Sequence, residues 1–274
     1  MNNEFRGRVG VISDSYEHLR KVINDFPFDF RVILLYGVSR ELSAIFLYKN
    51  YISDEEINKP SIEEVISLAN CQLERVSVAA SRLPKKPGEL KNKHIKTAHG
   101  AVFGQLKSGF RKRPAFLGSE LRRSQSFSPP SAHAIPALIG QANRWLSLPG
   151  IDWWLRISFY FAFFINIHPF ADGNGRTAKA LVLWLCGRDP GKLRMVSLLF
   201  IFHRITGREM LFPALHYMRQ GDLSPYVDYV QYSLDWMADF VRDELNRGAG
   251  HQDDHSLHIV MRQCLSEHVE GKTY

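Results

Sequence analysis

The 274-residue sequence has little of what several classes of protein require. Its three cysteines are widely separated and odd in number, which argues against a disulfide framework or a zinc site and favours a reducing compartment. The first residues contain no long apolar run of the kind that forms a signal peptide. The most apolar stretch, 153–167, is shorter than the roughly 20 residues that a membrane-spanning helix needs. We therefore expect a cytoplasmic protein, acting either in the cell that makes it or in a cell to which it is delivered.

The sequence also lacks internal repeats and almost all of the polar–apolar alternation that marks half-buried strands. In most segments the apolar residues recur at helical spacing instead. In 61–83, Ser61 and Glu64 match a capping box, and the apolar residues that follow recur at steps of three and four. Further segments with helical spacing lie at 15–25, 29–48, 93–106, 134–147, 151–168, 176–187, 207–219 and 225–246. The fold is therefore expected to be mainly α.

Two irregular stretches interrupt the predicted helices. The first, 84–92, combines two prolines, a glycine and basic residues, which is typical of a connector. The second, 107–125, is rich in Arg, Gly and Ser and predicts a short exposed hairpin followed by a loop. We divide the chain into an N-terminal helical region, a catalytic core and a C-terminal helical extension with a tail, at 1–88, 89–220 and 221–274.

Basic residues outnumber acidic ones, which gives a formal net charge of +7 and a pI near 9.3. That balance favours acidic partners, such as nucleotides, nucleic acid or an acidic protein surface, without choosing among them. Basic side chains cluster in the predicted hairpin region, at Arg111, Lys112, Arg113, Arg122 and Arg123. This cluster either attracts an acidic target or a nucleotide, or it is a solvated loop. No known nucleic-acid-binding motif is present, so a nucleic-acid partner is not expected.

The segment HPFADGNGRTAK at 168–179 lies between two strongly apolar predicted helices. Pro169 should end the first helix, because proline lacks an N–H and excludes α geometry from the residue before it. Gly173 and Gly175 allow a tight turn with positive φ angles, and Arg176 should start the second helix. A glycine-bearing loop that leads into a helix N-terminus is typical of an anion site, since unpaired N–H groups and the helix dipole face the ligand.

Four side chains of this segment have chemistry suited to phosphoryl groups. Arg176 offers a planar fork for phosphate oxygens, and Asp172 can hold Mg²⁺ beside bound phosphates. His168 titrates near neutral pH, so it is the natural base to take a proton from an attacking hydroxyl. Asn174 can donate an amide hydrogen bond to a phosphate oxygen. Each residue alone is explained as a cap, a turn or a surface charge, but together, within nine residues, they predict a catalytic anion site.

The segment resembles the signature of the Fic family, HPFx(D/E)GNGRxxR, at every fixed position except the last, where Lys179 replaces arginine. The resemblance extends over about 90–230, and more loosely over 45–90. It includes 109–111 and the insert that follows, 127–136, and 208–224. The resemblance implies a Fic-type helical bundle with a short β-hairpin flap beside the active site. It implies a protein adenylyltransferase, which moves AMP from ATP to a Ser, Thr or Tyr hydroxyl of a target protein or of itself and releases pyrophosphate.

The resemblance also implies a role for each residue of the site. His168 would deprotonate the target hydroxyl, and Asp172 would bind Mg²⁺ across the α- and β-phosphates. Arg176 would hold the phosphates, and Lys179 would lie where the second arginine of the family reaches the γ-phosphate. Phe212 is a candidate for contact with the adenine. The anion hole would be formed by Gly173, Asn174 and Gly175. The flap would pair with the target as an added strand, and its basic residues are Arg111, Lys112 and Arg113.

Lys179 is a departure from the family that leaves the donor open. Lysine keeps the positive charge of arginine but loses its bidentate geometry. The alternatives to AMP transfer are transfer of UMP, GMP or phosphocholine by the same fold, or an inactive Fic-like binding module. The intact His168, Asp172, Asn174 and Arg176 argue against inactivity.

Many Fic proteins carry an inhibitory (S/T)xxxE(G/N) motif. In 48–57, which resembles the region around an N-terminal version, Tyr48 stands where the glutamate would be. The literal match lies near the C-terminus, where Ser266 is followed by Glu270 and a glycine. This segment either inhibits through Glu270 or is a solvated tail. Without it, control would come from a regulatory partner or from a homo-oligomer, or the activity would not be controlled at all.

Overall fold

The computed structural model describes residues 3–23, 62–105, 108–115, 128–205 and 207–248. Two short 3-10 turns, Pro87–Glu89 and Ala132–Ala134, join a series of α-helices. These are α1 (Asn3–Val22), α2 (Ile62–Ser81), α3 (Asn92–Val102), α4 (Ile135–Trp145), α5 (Trp153–Ile167), α6 (Asn174–Cys186), α7 (Pro190–Ile205), α8 (Gly207–Arg219) and α9 (Ser224–Gly248). No strand occurs in the described ranges, so the fold there is mainly α, as predicted.

The helix α5 occupies the centre of the bundle. Its sequence is apolar on nearly every face, and a helix of that kind is stable only when neighbours cover it on all sides. It packs against α1, α4, α6 and α8. Asp152 caps its first turn, since the carboxylate accepts hydrogen bonds from the N–H groups of Trp154 at 2.7 Å and Leu155 at 3.4 Å. The helix therefore has a defined start.

The helix α6 connects this centre with the N-terminal helices. It packs against α5 and α7 on the core side and against α2 and α3 on the other. The indole N–H of Trp184 donates a 2.7 Å hydrogen bond to the carbonyl of Pro84, a residue 100 positions earlier in the chain. At its N-terminal end, α6 lies beside α3, which supplies side chains to the site described below.

The helix α7 was not predicted from the sequence. It contains a continuous buried run that includes Met195, Val196 and 198–202. A run that is apolar at nearly every position, here interrupted only by the buried Ser197, has no helical period, so its spacing cannot distinguish a buried helix from a buried strand. The helix α1 also begins earlier than predicted, at Asn3 instead of residue 15.

The predicted β-hairpin is not found in the part of it that the structure describes. Residues 108–115 form no strand there, and their backbone reaches the rest of the protein through the N–H of Arg111, which donates to the carbonyl of Pro169 at 2.8 Å. Residues 116–127 lie outside the described residues, as do the predicted helix at 29–48 and the capping residue Ser61. Among the described helices, none is both long and apolar enough to cross a membrane.

Candidate active site

His168 ends the central helix in an unusual backbone conformation. Its φ and ψ angles are 48° and 62°, in the left-handed region, while its N–H still donates to the carbonyl of Phe164 at 3.0 Å. A residue other than glycine pays about 1–3 kcal/mol for such a conformation, so the surroundings must stabilise it. Pro169 follows at once and prevents the helix from continuing. The sequence thus predicted the helix end correctly, but not the strained backbone of the candidate base.

The side chain of Asn174 closes the turn that follows. Its Oδ1 accepts from the N–H of Phe170 and its Nδ2 donates to the carbonyl of the same residue, both at 2.9 Å. Asn174 is only 3 % exposed. These two bonds hold the loop and use one of the two N–H groups of Nδ2, so the predicted hydrogen bond from this amide to a phosphate stays a prediction. Further donors for an anion are the backbone N–H groups of the first turn of α6.

The two glycines of the turn differ in what they do. Gly173 has a φ of 73°, and a Cβ at this position would lie 2.4 Å from Cε2 of Phe103 and 3.3 Å from Nε2 of His99. Gly175 lies inside the first turn of α6 without a positive φ, and a Cβ there would meet nothing within 4 Å. The prediction that both glycines are needed for positive φ is wrong for Gly175, which instead leaves open space at the helix N-terminus.

Two aromatic rings, one from α3 and one from its C-terminal cap, pack against the turn. Nε2 of His99 lies 2.9 Å from the carbonyl oxygen of Asp172, so this nitrogen carries the proton and donates. The His99 ring also stacks on Phe170 at 3.6 Å between centroids. The guanidinium of Arg176 lies over the ring of Phe103, 4.4 Å from its centroid. Burial lowers the pKa of His99 below its usual value, which keeps the ring neutral.

His99 and Phe103 belong to the site although no motif in the sequence marks them. They lie four positions apart and therefore face the same side of the helix end, which is the spacing that could have indicated a shared partner. The signal was weak because an aromatic pair at this spacing usually belongs to a core.

Asp172 and Arg176 form an ion pair at the open side of the turn. Nη2 of Arg176 lies 3.4 Å from Oδ2 of Asp172. The side chain of Arg176 is 33% exposed and that of Asp172 is 80% exposed. An exposed pair of this kind contributes little to stability. Both groups therefore face solvent beside the N-terminus of α6, where the helix dipole favours negative charge.

Asp172 is the only carboxylate of this turn, and no cluster of three or more metal-binding side chains occurs in the described part of the chain. Mg²⁺ is commonly held by one or two carboxylates together with phosphate oxygens of the substrate. The residues present therefore fit Mg²⁺ when a nucleotide supplies the remaining oxygens. They do not form a metal cage of their own.

The ring of His168 is partly buried between these elements. Burial, and after it the positive charge of Arg111, lowers the pKa of His168 to about 4, while the negative charge of Asp172 acts in the opposite direction. The imidazole is therefore neutral near pH 7. In that state it can accept a proton, which is the requirement for a general base.

Lys179 is withdrawn from the open side of the turn. It is 7 % exposed, and its Nζ lies 5.2 Å from the ring centroid of Phe200 on α7. Phe212 lies in α8 and is partly exposed, and its contact with adenine stays a prediction. Ser266 and Glu270 lie outside the described residues, so inhibition by this segment also stays a prediction.

The three basic residues assigned to the flap divide into two groups. Lys112 and Arg113 are exposed, as a target-facing role requires. Arg111 is 7 % exposed, and its guanidinium bonds to backbone carbonyls, including that of His168 at 2.8 Å. The prediction that Arg111 faces the target is therefore wrong, because a buried guanidinium with bound donors is not available to a partner protein.

Together these features define a class of protein: a helical bundle in which a neutral histidine ends a buried helix directly before a glycine turn and a helix N-terminus that can bind an anion. Residues 89–186 match the Fic/DOC family model, so this part of the chain is similar to that family. No curated protein sequence matches the chain significantly.

Solved structures support the same fold over most of the chain. A Fic family protein from Desulfovibrio desulfuricans G20 aligns with a TM-score of 0.57 and 17% identity, over 97% of this chain and 85% of its own. Fic-1 (residues 134–508) from C. elegans aligns with a TM-score of 0.51 and 18% identity, over 89% of this chain and 72% of its own. At these identities the likeness establishes the fold.

Proposed function

We propose that this protein transfers AMP from ATP to a Ser, Thr or Tyr hydroxyl of a target protein and releases pyrophosphate. The observation that carries the proposal is the placement of His168, a neutral base, directly before a turn whose open side presents Arg176 and the N-terminus of α6. A base and an anion site in one loop are the two groups that attack of a hydroxyl on a phosphate requires.

In the proposed reaction, His168 accepts the proton of the target hydroxyl. The hydroxyl oxygen forms a bond to the α-phosphorus, while the bond from that phosphorus to the bridging oxygen of pyrophosphate breaks. The proton then leaves His168 for solvent. Backbone N–H groups at the start of α6 and the guanidinium of Arg176 would stabilise the negative charge on the phosphate oxygens. Asp172 would hold Mg²⁺, which when bound neutralises part of the phosphate charge.

A labelling assay tests this reaction. The protein is incubated with Mg²⁺ and ATP labelled at the α-phosphate, alone and with cell lysate, beside His168→Ala and His18→Ala. His18 is an exposed histidine on α1, away from the turn, and serves as the matched control. We expect label on protein with the native chain and His18→Ala, and none with His168→Ala. Absence of label from every α-labelled nucleotide triphosphate would contradict nucleotidyl transfer.

The position of Lys179 favours a second candidate, transfer of phosphocholine from a nucleoside diphosphate-linked donor. A lysine that lies over a buried ring on α7 is poorly placed to neutralise a γ-phosphate. A donor with only two phosphates would not need that charge. Competition between ATP and such a donor in the labelling assay separates the two candidates. Preference for ATP, with a lower KM for ATP in Lys179→Arg, would argue against the diphosphate donor.

The exposed Lys112 and Arg113 support an acidic surface on the target, since both lie on the segment next to the loop of His168. The target itself, a homo-oligomeric state and control by Glu270 remain proposals. A Glu270→Gly variant in the labelling assay tests the last of these, because release from inhibition would increase the label.

A further inference from the structure

We propose that Arg111 is a positioning residue for His168, and that it clamps the loop 167–169 so that the segment 108–115 sets the geometry of the base. The role rests on the proposed function, since it assigns Arg111 to the base of that same reaction. It replaces the expectation that this arginine contacts a target protein.

Arg111 binds three consecutive carbonyls of the loop. Its backbone N–H donates to the carbonyl of Pro169 at 2.8 Å, and its Nε donates to that of His168 at 2.8 Å. Its Nη2 reaches the carbonyl of Ile167 at 3.4 Å. The carbonyls of Ile167 and His168 lie at the C-terminal end of α5, where carbonyls lack helical partners and a positive charge is favoured. One residue thus holds the strained backbone of His168 from both sides.

The other donors of Arg111 hold its own segment in place. Nη1 donates to the carbonyl of Arg113 at 3.1 Å, and Nη2 also donates to the carbonyl of Pro130. In the described part of the chain, every partner of this guanidinium is a backbone carbonyl. A planar fork with five N–H groups can reach acceptors on three segments at once, which a lysine ammonium cannot do. The guanidinium therefore joins the segments 108–115 and 128–131 to the end of α5.

The two halves of the catalytic loop are held by different groups. Arg111 holds 167–169, whereas the part that follows is held by the side chain of Asn174 and by the rings of His99 and Phe103. Loss of the guanidinium should therefore disturb the base and leave the phosphate-binding turn intact. The kinetic signature of that change is a lower kcat with little change in the KM for ATP.

Arg111 also adds its charge to the surroundings of His168. The charged groups that act on this imidazole are Arg111, which disfavours its protonated form, and Asp172, which favours it and is paired with Arg176. Arg111→Met removes both the hydrogen bonds and the charge. Arg111→Lys keeps a charge nearby but cannot span the carbonyls. The two variants therefore separate the geometric contribution from the electrostatic one.

Arg156 provides a matched control at the other end of α5. Its guanidinium donates to the carbonyls of Leu146 at 2.5 Å, Leu148 at 2.9 Å and Ile151 at 3.2 Å. It is thus also an arginine that ties loop carbonyls to the central helix, but it lies at the N-terminal end, away from His168. Arg156→Met should lower thermal stability without changing kcat of the folded protein or the pKa of His168.

The test measures Tm, kcat, the KM for ATP and the NMR titration of the His168 imidazole. It uses the full native chain and the variants Arg111→Met, Arg111→Lys, Arg156→Met and Arg156→Lys. All assays run below the Tm of each variant. For Arg111→Met we expect a loss of kcat on the order of 10²-fold, a nearly unchanged KM and a raised His168 pKa. For Arg111→Lys we expect a similar loss of kcat and a smaller rise of that pKa.

Unchanged kcat and unchanged His168 titration in folded Arg111→Met would overturn the proposal. So would an equal loss of kcat in Arg156→Met, since the effect would then be one of stability alone. The NMR titration keeps the test independent of the reaction. If the native chain labels nothing, a raised His168 pKa in Arg111→Lys, which keeps a charge nearby, but not in Arg156→Lys, still supports the clamp while the proposed function fails.

Discussion

Residues of the same type perform different tasks in the turn between α5 and α6. Gly173 has a positive φ and lies directly against Phe103, whereas Gly175 lies within the helix and faces open space. The sequence pattern presents both as turn glycines, because residue type alone does not distinguish a backbone requirement from a requirement for space. Substitution of each glycine by alanine distinguishes the backbone requirement from the requirement for space.

We expect Gly173→Ala to destabilise the protein by about 2 kcal/mol or more, because the added Cβ meets Phe103 and alanine disfavours positive φ. Gly175→Ala should stabilise α6 by about 0.5–1 kcal/mol, since alanine favours the helix. Gly175→Ala should still reduce activity, because its methyl group enters the space beside the helix N-terminus. Urea unfolding and the labelling assay measure both effects. Equal destabilisation by the two variants would contradict this distinction.

The lowered pKa of His168 predicts an unusual acid limb of the pH–activity profile. Because the folded value is about 4 and not the ordinary 6.5, the neutral base persists as the pH falls below 6. We expect kcat/KM to stay nearly level between pH 7 and about pH 5 and to fall below that. A half-point near 6.5 would show that His168 titrates normally in the free protein.

The same shift has a consequence for stability. Between pH 6.5 and about 4 the unfolded chain binds a proton at His168 that the folded chain does not bind. Stability should therefore fall as the pH falls through this window. His168→Asn should show a shallower fall, which urea unfolding at several pH values would measure.

At the scale of the element, the end of α3 supports the proposed phosphate-binding side of the site, while the segment 108–115 supports the proposed base. We expect Phe103→Leu to raise the KM for ATP by up to about tenfold, because Arg176 loses the ring that it lies over. The kcat should change less, since the carbonyls held by Arg111 are untouched. This pattern is the reverse of that expected for Arg111→Met. A fall in kcat alone would contradict the division of the loop into two halves.

The elements that could be predicted from the sequence are those with local signals. Pro169 marked the end of α5, and the periodic 207–219 matched α8 at both ends. The run 195–202 of α7 shows no helical period because it is buried on all faces, and the hairpin was expected from composition and from the resemblance to the Fic family. The contacts of Arg111 could not be predicted, because they join segments more than 50 residues apart through backbone atoms that no side-chain pattern records.

At the scale of the whole molecule, α5 and α6 are held to the N-terminal region by contacts distant in sequence. Trp184→Phe tests one of them, since it removes the hydrogen bond to the carbonyl of Pro84. We expect a loss of about 1–2 kcal/mol in the free energy of unfolding, because that carbonyl loses its partner. Activity of the folded protein should not change. A variant as stable as the native chain would show that water replaces the indole at no cost.

The partners of Arg111 have a consequence for how this protein can vary. Within the described ranges all of them are main-chain oxygens, which every amino acid supplies. Positions 113, 130 and 167 can therefore change their side chains without removing an acceptor, and no second residue needs to change in step with the arginine. Among relatives in which an arginine makes the same contacts, that arginine should be constant while the residues at positions 113, 130 and 167 vary. Analyses of correlated substitution should find no position whose changes follow those of the arginine.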